Sequence, residues 1–224
     1  MDAERTSALA AHPGSTWWAP TDVGWWTGVL FAAGSVCFAL GAAPRYVDAV
    51  GVGADGVTYF VGSLFFTTAA TLAVLATDRS DRLDWWAGLV QLAGTLFFNV
   101  STYDAMADHL SAAQEDKLVW TPDWRGSICF LVASGLAWGA VSHGLWSWRP
   151  RSLAWLIAAL NLGGSVAFGA SAVASYVVPE SDQPRNVTLM NLGTFLGALA
   201  FLAGAVLLLP ERMPGPAPAD HDTG

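Results

Sequence analysis

The residues of this chain with chemistry to offer are amides and hydroxyls set inside apolar stretches. Gln91 and Asn161 occupy corresponding places in two of those stretches, Asn99 and Thr102 interrupt one of them, and Asn191 stands near the start of the last. An amide held away from water must find a polar partner, and a bond between helices in hydrocarbon contributes about 1 kcal/mol. Two readings follow. Gln91, Asn99 and Asn161 either join neighbouring helices or, with Thr102 and Asn191, line a small polar cavity that binds or passes a neutral solute.

The second concentration of functional groups is the loop from 104 to 123, with Asp104, Asp108, His109, Glu115 and Asp116. The Asp108-His109 pair and two further carboxylates have the chemistry of a divalent-cation site. Their spacing follows no metal motif, however, and the loop has a single imidazole. A solvated acidic loop with a short amphipathic helix over 103–118 is expected, and no metal ligand is assigned. Phosphate-binding glycine loops, a HExxH helix, a nucleophile elbow and a haem-ligating histidine pair are missing. His12 and His221 lie in the tails, and His143 lies near the end of an apolar stretch. Ionisable side chains are absent from the middle of every such stretch, which counts against an ion-coupled pump. No catalytic residue and no cofactor is therefore expected. Chemistry in the acidic loop is the enzymatic alternative.

The elements that must position these groups are membrane helices. The 224 residues are 54% hydrophobic and only 12% charged, where a soluble domain carries about a quarter. Crossing about 30 Å of hydrocarbon takes about 20 apolar residues. Six stretches meet that length, near 25–44, 56–77, 85–103, 124–146, 153–178 and 186–209. The first is not expected to be a cleaved signal, because the segment before it has Arg5 as its one cation beside Asp2, Glu4 and Asp22.

Internal repetition decides the organisation. Residues 25–38 match 85–98 at an offset of 60, and a third copy begins at Ala154-Trp155. The expected fold is all-α: six transmembrane helices in three tandem hairpins, 25–83, 84–148 and 149–210, between a tail at 1–24 and a proline-rich acidic tail at 211–224. Two helices per unit make the repeats parallel, and a pseudo-threefold bundle is the simplest closed arrangement.

Aligned on Gly34, Gly94 and Gly164, the first helices show stripes of small residues, such as Gly28, Ala32, Ser35 and Ala39. The second helices, aligned on Gly62, Gly126 and Gly193, do the same. Lipid tails are as apolar as leucine, so helices associate through close contact and hydrogen bonds. The glycines, with the hydroxyls after them (Ser35, Ser63, Thr95, Ser127, Ser165 and Thr194), are read as packing devices. Gly135 with Gly139, and Gly193 with Gly197, are spaced for packing within the bundle or for self-association. Cys37 and Cys129, in the related strings GSVCF and GSICF, are read as small buried apolar residues.

Gly62-Ser63 with Phe65 and Phe66, and Gly126-Ser127 with Phe130, give two hairpins a resemblance to the YrhK-like membrane domain. The third hairpin departs from it, reading Gly193-Thr194-Phe195. The resemblance implies a prokaryotic integral membrane protein of a family without an established activity.

The net charge of −8 lies in tails and loops, which disfavours nucleic acid. The bilayer is the expected partner, with a second copy or another membrane protein beside it. Six arginines on the side of the tails face four basic residues opposite. That bias places both termini in the cytoplasm and the protein in the inner membrane. Trp25, Trp26, Trp85, Trp86, Trp146, Trp148 and Trp155 gather at the tail-side interface as an aromatic belt. The expected role is structural or partner-binding, with a small-solute transporter or channel as the alternative.

Overall fold

The computed structural model describes residues 17–107, 109–142, 149–181 and 183–210. The expectations for Asp108, His143, Trp146, Trp148 and the tail histidines lie outside the described residues. Among the described residues the chain forms α1 (Val23–Gly41), α2 (Pro44–Val50), α3 (Val52–Ala76), α4 (Arg82–Asp104), α5 (Ala112–Glu115), α6 (Thr121–Ser142), α7 (Leu153–Ala174) and α8 (Val187–Leu208). A two-stranded ribbon, β1 (Val177–Val178) with β2 (Gln183–Pro184), separates α7 from α8.

Local chemistry sets several of the ends. Asp22 caps α1 by accepting from the Gly24 amide at 2.7 Å, and Asn186 caps α8 through Leu189 at 2.9 Å. Pro44 opens α2 at a position where its missing N–H is no loss. Gly51, at φ 84°, turns the chain into α3.

Two expectations about the connections are corrected. The seventh helix ends at Ala174, well short of 178, because β-branched Val177 and Val178 precede Pro179, which disfavours helix at the residue before it. The 103–118 region is not one amphipathic helix: α4 stops at Asp104, and α5 passes through a π-helical turn (Asp116–Trp120) directly into α6.

Five helical stretches are long and apolar enough to cross a membrane: α1, α3, the run Ala112–Ser142, α7 and α8. The chain is thus a helical multi-pass membrane protein. The third expected span, α4, has the length, at 23 residues, but Arg82, Asp84, Gln91, Asn99 and Asp104 leave it less apolar.

The long helices close a ring. Helix α1 packs on α3, α3 on α4, α4 on α6, α6 on α7, α7 on α8 and α8 on α1. The closest crossings are at glycines. A side chain on Gly34 would meet the Gly62 carbonyl at 2.9 Å, one on Gly126 the Gly94 carbonyl at 3.1 Å, and one on Gly164 the Gly197 carbonyl at 3.1 Å. Cys37 and Cys129, both free, pack against Gly62 and Gly94. The expected alignment of the last helix on Gly193 is therefore displaced by one turn. Gly197 stands where Gly62 and Gly126 stand, and Ala198 replaces their hydroxyl neighbour. Gly193 packs instead against Ser171 and the Ala167 carbonyl. Of the two GxxxG pairs, Gly193 and Gly197 serve this internal crossing, while Gly135 and Gly139 have nothing within 4 Å.

Four residues after each crossing glycine comes a phenylalanine, and the six rings fill the axis. Phe38, Phe98 and Phe168 form one triangle with centroid separations of 6.4, 6.1 and 5.9 Å. Phe66, Phe130 and Phe201 form a second, at 6.4, 5.6 and 6.3 Å. The triangles are joined ring to ring within each helix pair, at 5.3, 5.0 and 5.2 Å. Edge-to-face geometry dominates, which suits the ring quadrupoles.

Candidate functional site

The phenylalanine plug divides the axis into two hollows. On the side of α2, α5 and the ribbon lies a vestibule of about 290 Å³. Three of its walls come from one register position: Tyr59, Asp123 and Thr194 each stand three residues before the crossing glycine of their helix. Ser101 and Ser171, seven residues after Gly94 and Gly164, supply the intervening walls, and Thr102, Asn191 and Glu115 are also in the lining.

Most of these polar groups are committed. Ser101 donates to the Val119 carbonyl at 2.9 Å, Ser171 to the Met190 carbonyl at 2.7 Å, and Thr102 to the Phe98 carbonyl at 2.7 Å. Ser171 and Thr194 share a further bond of 2.8 Å. The α5 segment is fastened over one side by the Trp120 indole, which donates to the Ala172 carbonyl at 2.8 Å, and by Asp116, which accepts from the Val177 amide at 3.2 Å.

Asp123 differs from its neighbours. It is half-buried, and among the described residues its carboxyl accepts no hydrogen bond and pairs with no cation. Beside it a smaller hollow of about 20 Å³ is lined by Asp123, Ser127, Ser171, Thr194 and the rings of Phe38, Phe98 and Phe168. Ser127 is 1% exposed, and its Oγ has no partner. The corresponding Ser63 donates to the Phe60 carbonyl at 2.7 Å, so the orphaned hydroxyl is particular to α6.

Beyond the plug is a tail-side hollow of about 130 Å³, lined by Phe31, Gln91, Asn161, Phe201 and Gly204 among others. Phe31, Gln91 and Asn161 again share a register, three residues before Gly34, Gly94 and Gly164. A third hollow, about 520 Å³, is a lateral groove of mostly apolar residues between Ala42–Pro44 and the first turns of α8. Asn191 borders both this groove and the vestibule.

The expected amide cluster is thus divided. Gln91 and Asn161 meet, Thr102 and Asn191 belong to the opposite vestibule, and Asn99 lines neither hollow. With its amide turned to suit its surroundings, Asn99 donates to the Ser63 carbonyl at 3.0 Å and hydroxyl at 2.9 Å, and accepts from Thr67 at 2.9 Å. It fastens α4 to α3. Asn99→Ala is expected to destabilise the protein by about 1–2 kcal/mol, read as a lower unfolding midpoint, while leaving any ligand bound in the vestibule.

The glycine-adjacent hydroxyls split in the same way. Ser35 and Thr95 donate to the carbonyls of Phe31 and Leu92 at 2.8 and 2.7 Å, and Ser165 bonds Ser134 at 2.7 Å. Ser127 and Thr194 instead face the floor of the vestibule. In the acidic loop the carboxylates disperse: Asp116 serves the ribbon and Glu115 the vestibule. Among the described residues no three metal-ligating side chains gather.

The residues that reading the sequence missed are Asp123 and Tyr59. Their signal was available, because each stands three before a Gly-Ser pair. In the sequence Asp123 stands at the end of a loop, where a carboxylate is ordinary.

No protein-family model, curated protein or solved structure matches this chain. The vestibule's own chemistry therefore carries the functional argument. Among the described residues lining it are two acids and no base, aromatic rings at its floor, and hydroxyls between. Such a cavity suits hydrogen-bond donors.

Proposed function

We propose that the chain is a six-span protein of three parallel hairpin repeats about a pseudo-threefold axis. Its role in this reading is to bind a small polar solute in the loop-side vestibule, as a transporter or channel would. The two phenylalanine triangles and the shared register of Tyr59, Asp123 and Thr194 support the repeats. The seat of α4 in the ring, between α3 and α6, supports its crossing the membrane with them. The polar positions on α4 are spent inside the bundle on Asn99's bonds and on Gln91's cavity. The bias of arginines supports an inner-membrane location with both termini cytoplasmic. The strings that resemble the YrhK-like module are those that build the crossings and the plug.

The observation that carries the functional reading is the uncommitted Asp123 carboxyl in the wall of the vestibule on the bundle axis. Intramembrane or near-membrane carboxylates without a structural partner mark ligand paths. The test is a thermal-shift panel on the purified protein, using small alcohols, amides, amines and carboxylates, repeated with Ser175→Trp, a substitution in the vestibule lining that fills the cavity. Stabilisation by one class, abolished in Ser175→Trp, is expected. A panel without effect, or an effect indifferent to the filled cavity, would sink the reading.

A partner-binding role is the second reading. It rests on Gly135 and Gly139, which leave an open strip on α6 where another helix backbone could approach closely.

A further inference from the structure

We infer that the floor of the vestibule is a seat for a primary ammonium group, so that the solute is a small protonated amine. The inference rests on the vestibule being a solute site, and it assigns the chemistry of that solute. The floor hollow, about 20 Å³, has room for one water-sized head group. Around it stand three kinds of acceptor: the Asp123 carboxylate, the buried and unpartnered Ser127 Oγ, and the Ser171–Thr194 hydroxyl pair, whose shared bond leaves lone pairs free. A primary ammonium brings three N–H donors, which matches them.

The remaining wall is aromatic. Phe38, Phe98 and Phe168 close the bottom of the hollow, and ring faces attract a cation that has shed its water. A divalent metal ion is a poor match, since calcium takes six to eight oxygens and magnesium keeps several waters in an octahedral shell. A carboxylate ligand brings acceptors and no N–H donors to a ring of acceptors, and a neutral alcohol brings one donor where a primary ammonium brings three. The 290 Å³ above the floor then receives the rest of the amine between Tyr59, Ser101 and Thr102.

The seat also accounts for the orphaned hydroxyl. Every other Gly-Ser or Gly-Thr hydroxyl at a crossing bonds within the protein, at Ser35, Ser63, Thr95 and Ser165. An unsatisfied buried group costs about 1–3 kcal/mol, a cost removed when a bound donor completes it.

The test measures binding of butylamine, 1-butanol, butyrate and tetramethylammonium to the full chain in nanodiscs by calorimetry. Butylamine is expected to bind. Tetramethylammonium, too large for the hollow and lacking N–H groups, should bind at least about tenfold more weakly. Asp123→Asn should weaken butylamine by about a hundredfold, and Ser127→Ala by roughly tenfold with the unfolding midpoint unchanged or raised. Ser127→Ala keeps the test decisive should Asp123→Asn fail to fold. Butylamine binding that survives both substitutions, or that leaves the floor holding water alone, overturns the ammonium seat. Butanol or butyrate binding that is lost in Ser175→Trp, with butylamine inert, overturns the seat while the vestibule reading stands. No binding by any probe overturns both.

Discussion

Gly197→Val is expected to lower the stability of the folded protein by about 3 kcal/mol or more, enough to prevent recovery of a monodisperse preparation. A branched side chain at this point would enter the ring of Phe168, and its first carbon would lie 3.0 Å from the Gly164 carbonyl. Neither can retreat. Phe168 is held by Phe98 and Phe201, and the carbonyl belongs to helix backbone. In hydrocarbon this close approach is the main attraction between helices, so separating α7 from α8 forfeits contacts along both. Gly135→Ala supplies the comparison, since nothing stands within 4 Å of that position. Its unfolding midpoint should match the parent within error. Equal losses from the two substitutions, measured by denaturant titration in detergent, would mean that the crossing does not hold the bundle together.

Phe98→Ala should have the second large effect, a loss of about 3–5 kcal/mol with a change of permeability beside it. Phe98 touches Phe38, Phe130 and Phe168, so it belongs to one triangle and braces the other. Removing its ring takes away the wall between the floor of the vestibule and the centre of the plug. Hydrophobic constrictions stop flow by excluding water, and a breached one conducts. Proteoliposomes carrying Phe98→Ala should release small uncharged solutes faster than those carrying the parent protein. Phe31→Ala, at the edge of the tail-side hollow, should not release them faster. Loss of stability without leakage would place any solute path away from the axis.

The class of the fold was legible in the sequence because membrane helices write themselves as apolar length. Most ends were close to those expected, and the deviations have local causes: Pro44 starts a separate helix, and Pro179 ends α7 early. The glycine expected to align each long helix falls at a helix crossing in five of them and is displaced by one turn in α8. There Gly193-Thr194 resembles the recurrent glycine-hydroxyl pair more than Gly197-Ala198 does. The phenylalanine four residues on is the better guide, since all six rings occupy the axis while the hydroxyls take different partners, Ser35 and Thr95 on their own helix and Ser165 on Ser134. The candidate site was legible in part. Gln91 and Asn161 share a register and line one hollow, whereas Asn99, alike in residue type, faces the seam between α3 and α4. Asp123 is illegible as a site residue in the sequence because the head of a helix is ordinarily solvated, and only the tertiary fold brings Glu115, Trp120 and the ribbon to the same cavity.

In the three-hairpin reading, the register of Tyr59, Asp123 and Thr194 has a consequence for stoichiometry. Three identical hairpins meeting around an axis would present the same side chain three times: three phenols, or three carboxylates crowded into one cavity and unable to ionise together. Joining the hairpins in one chain frees each copy to differ, so a single charge faces a phenol and a hydroxyl across the axis. On the ammonium-seat proposal such a chamber would take one cation per chain and in one orientation, a selectivity that a symmetric trimer of the same hairpins could not encode.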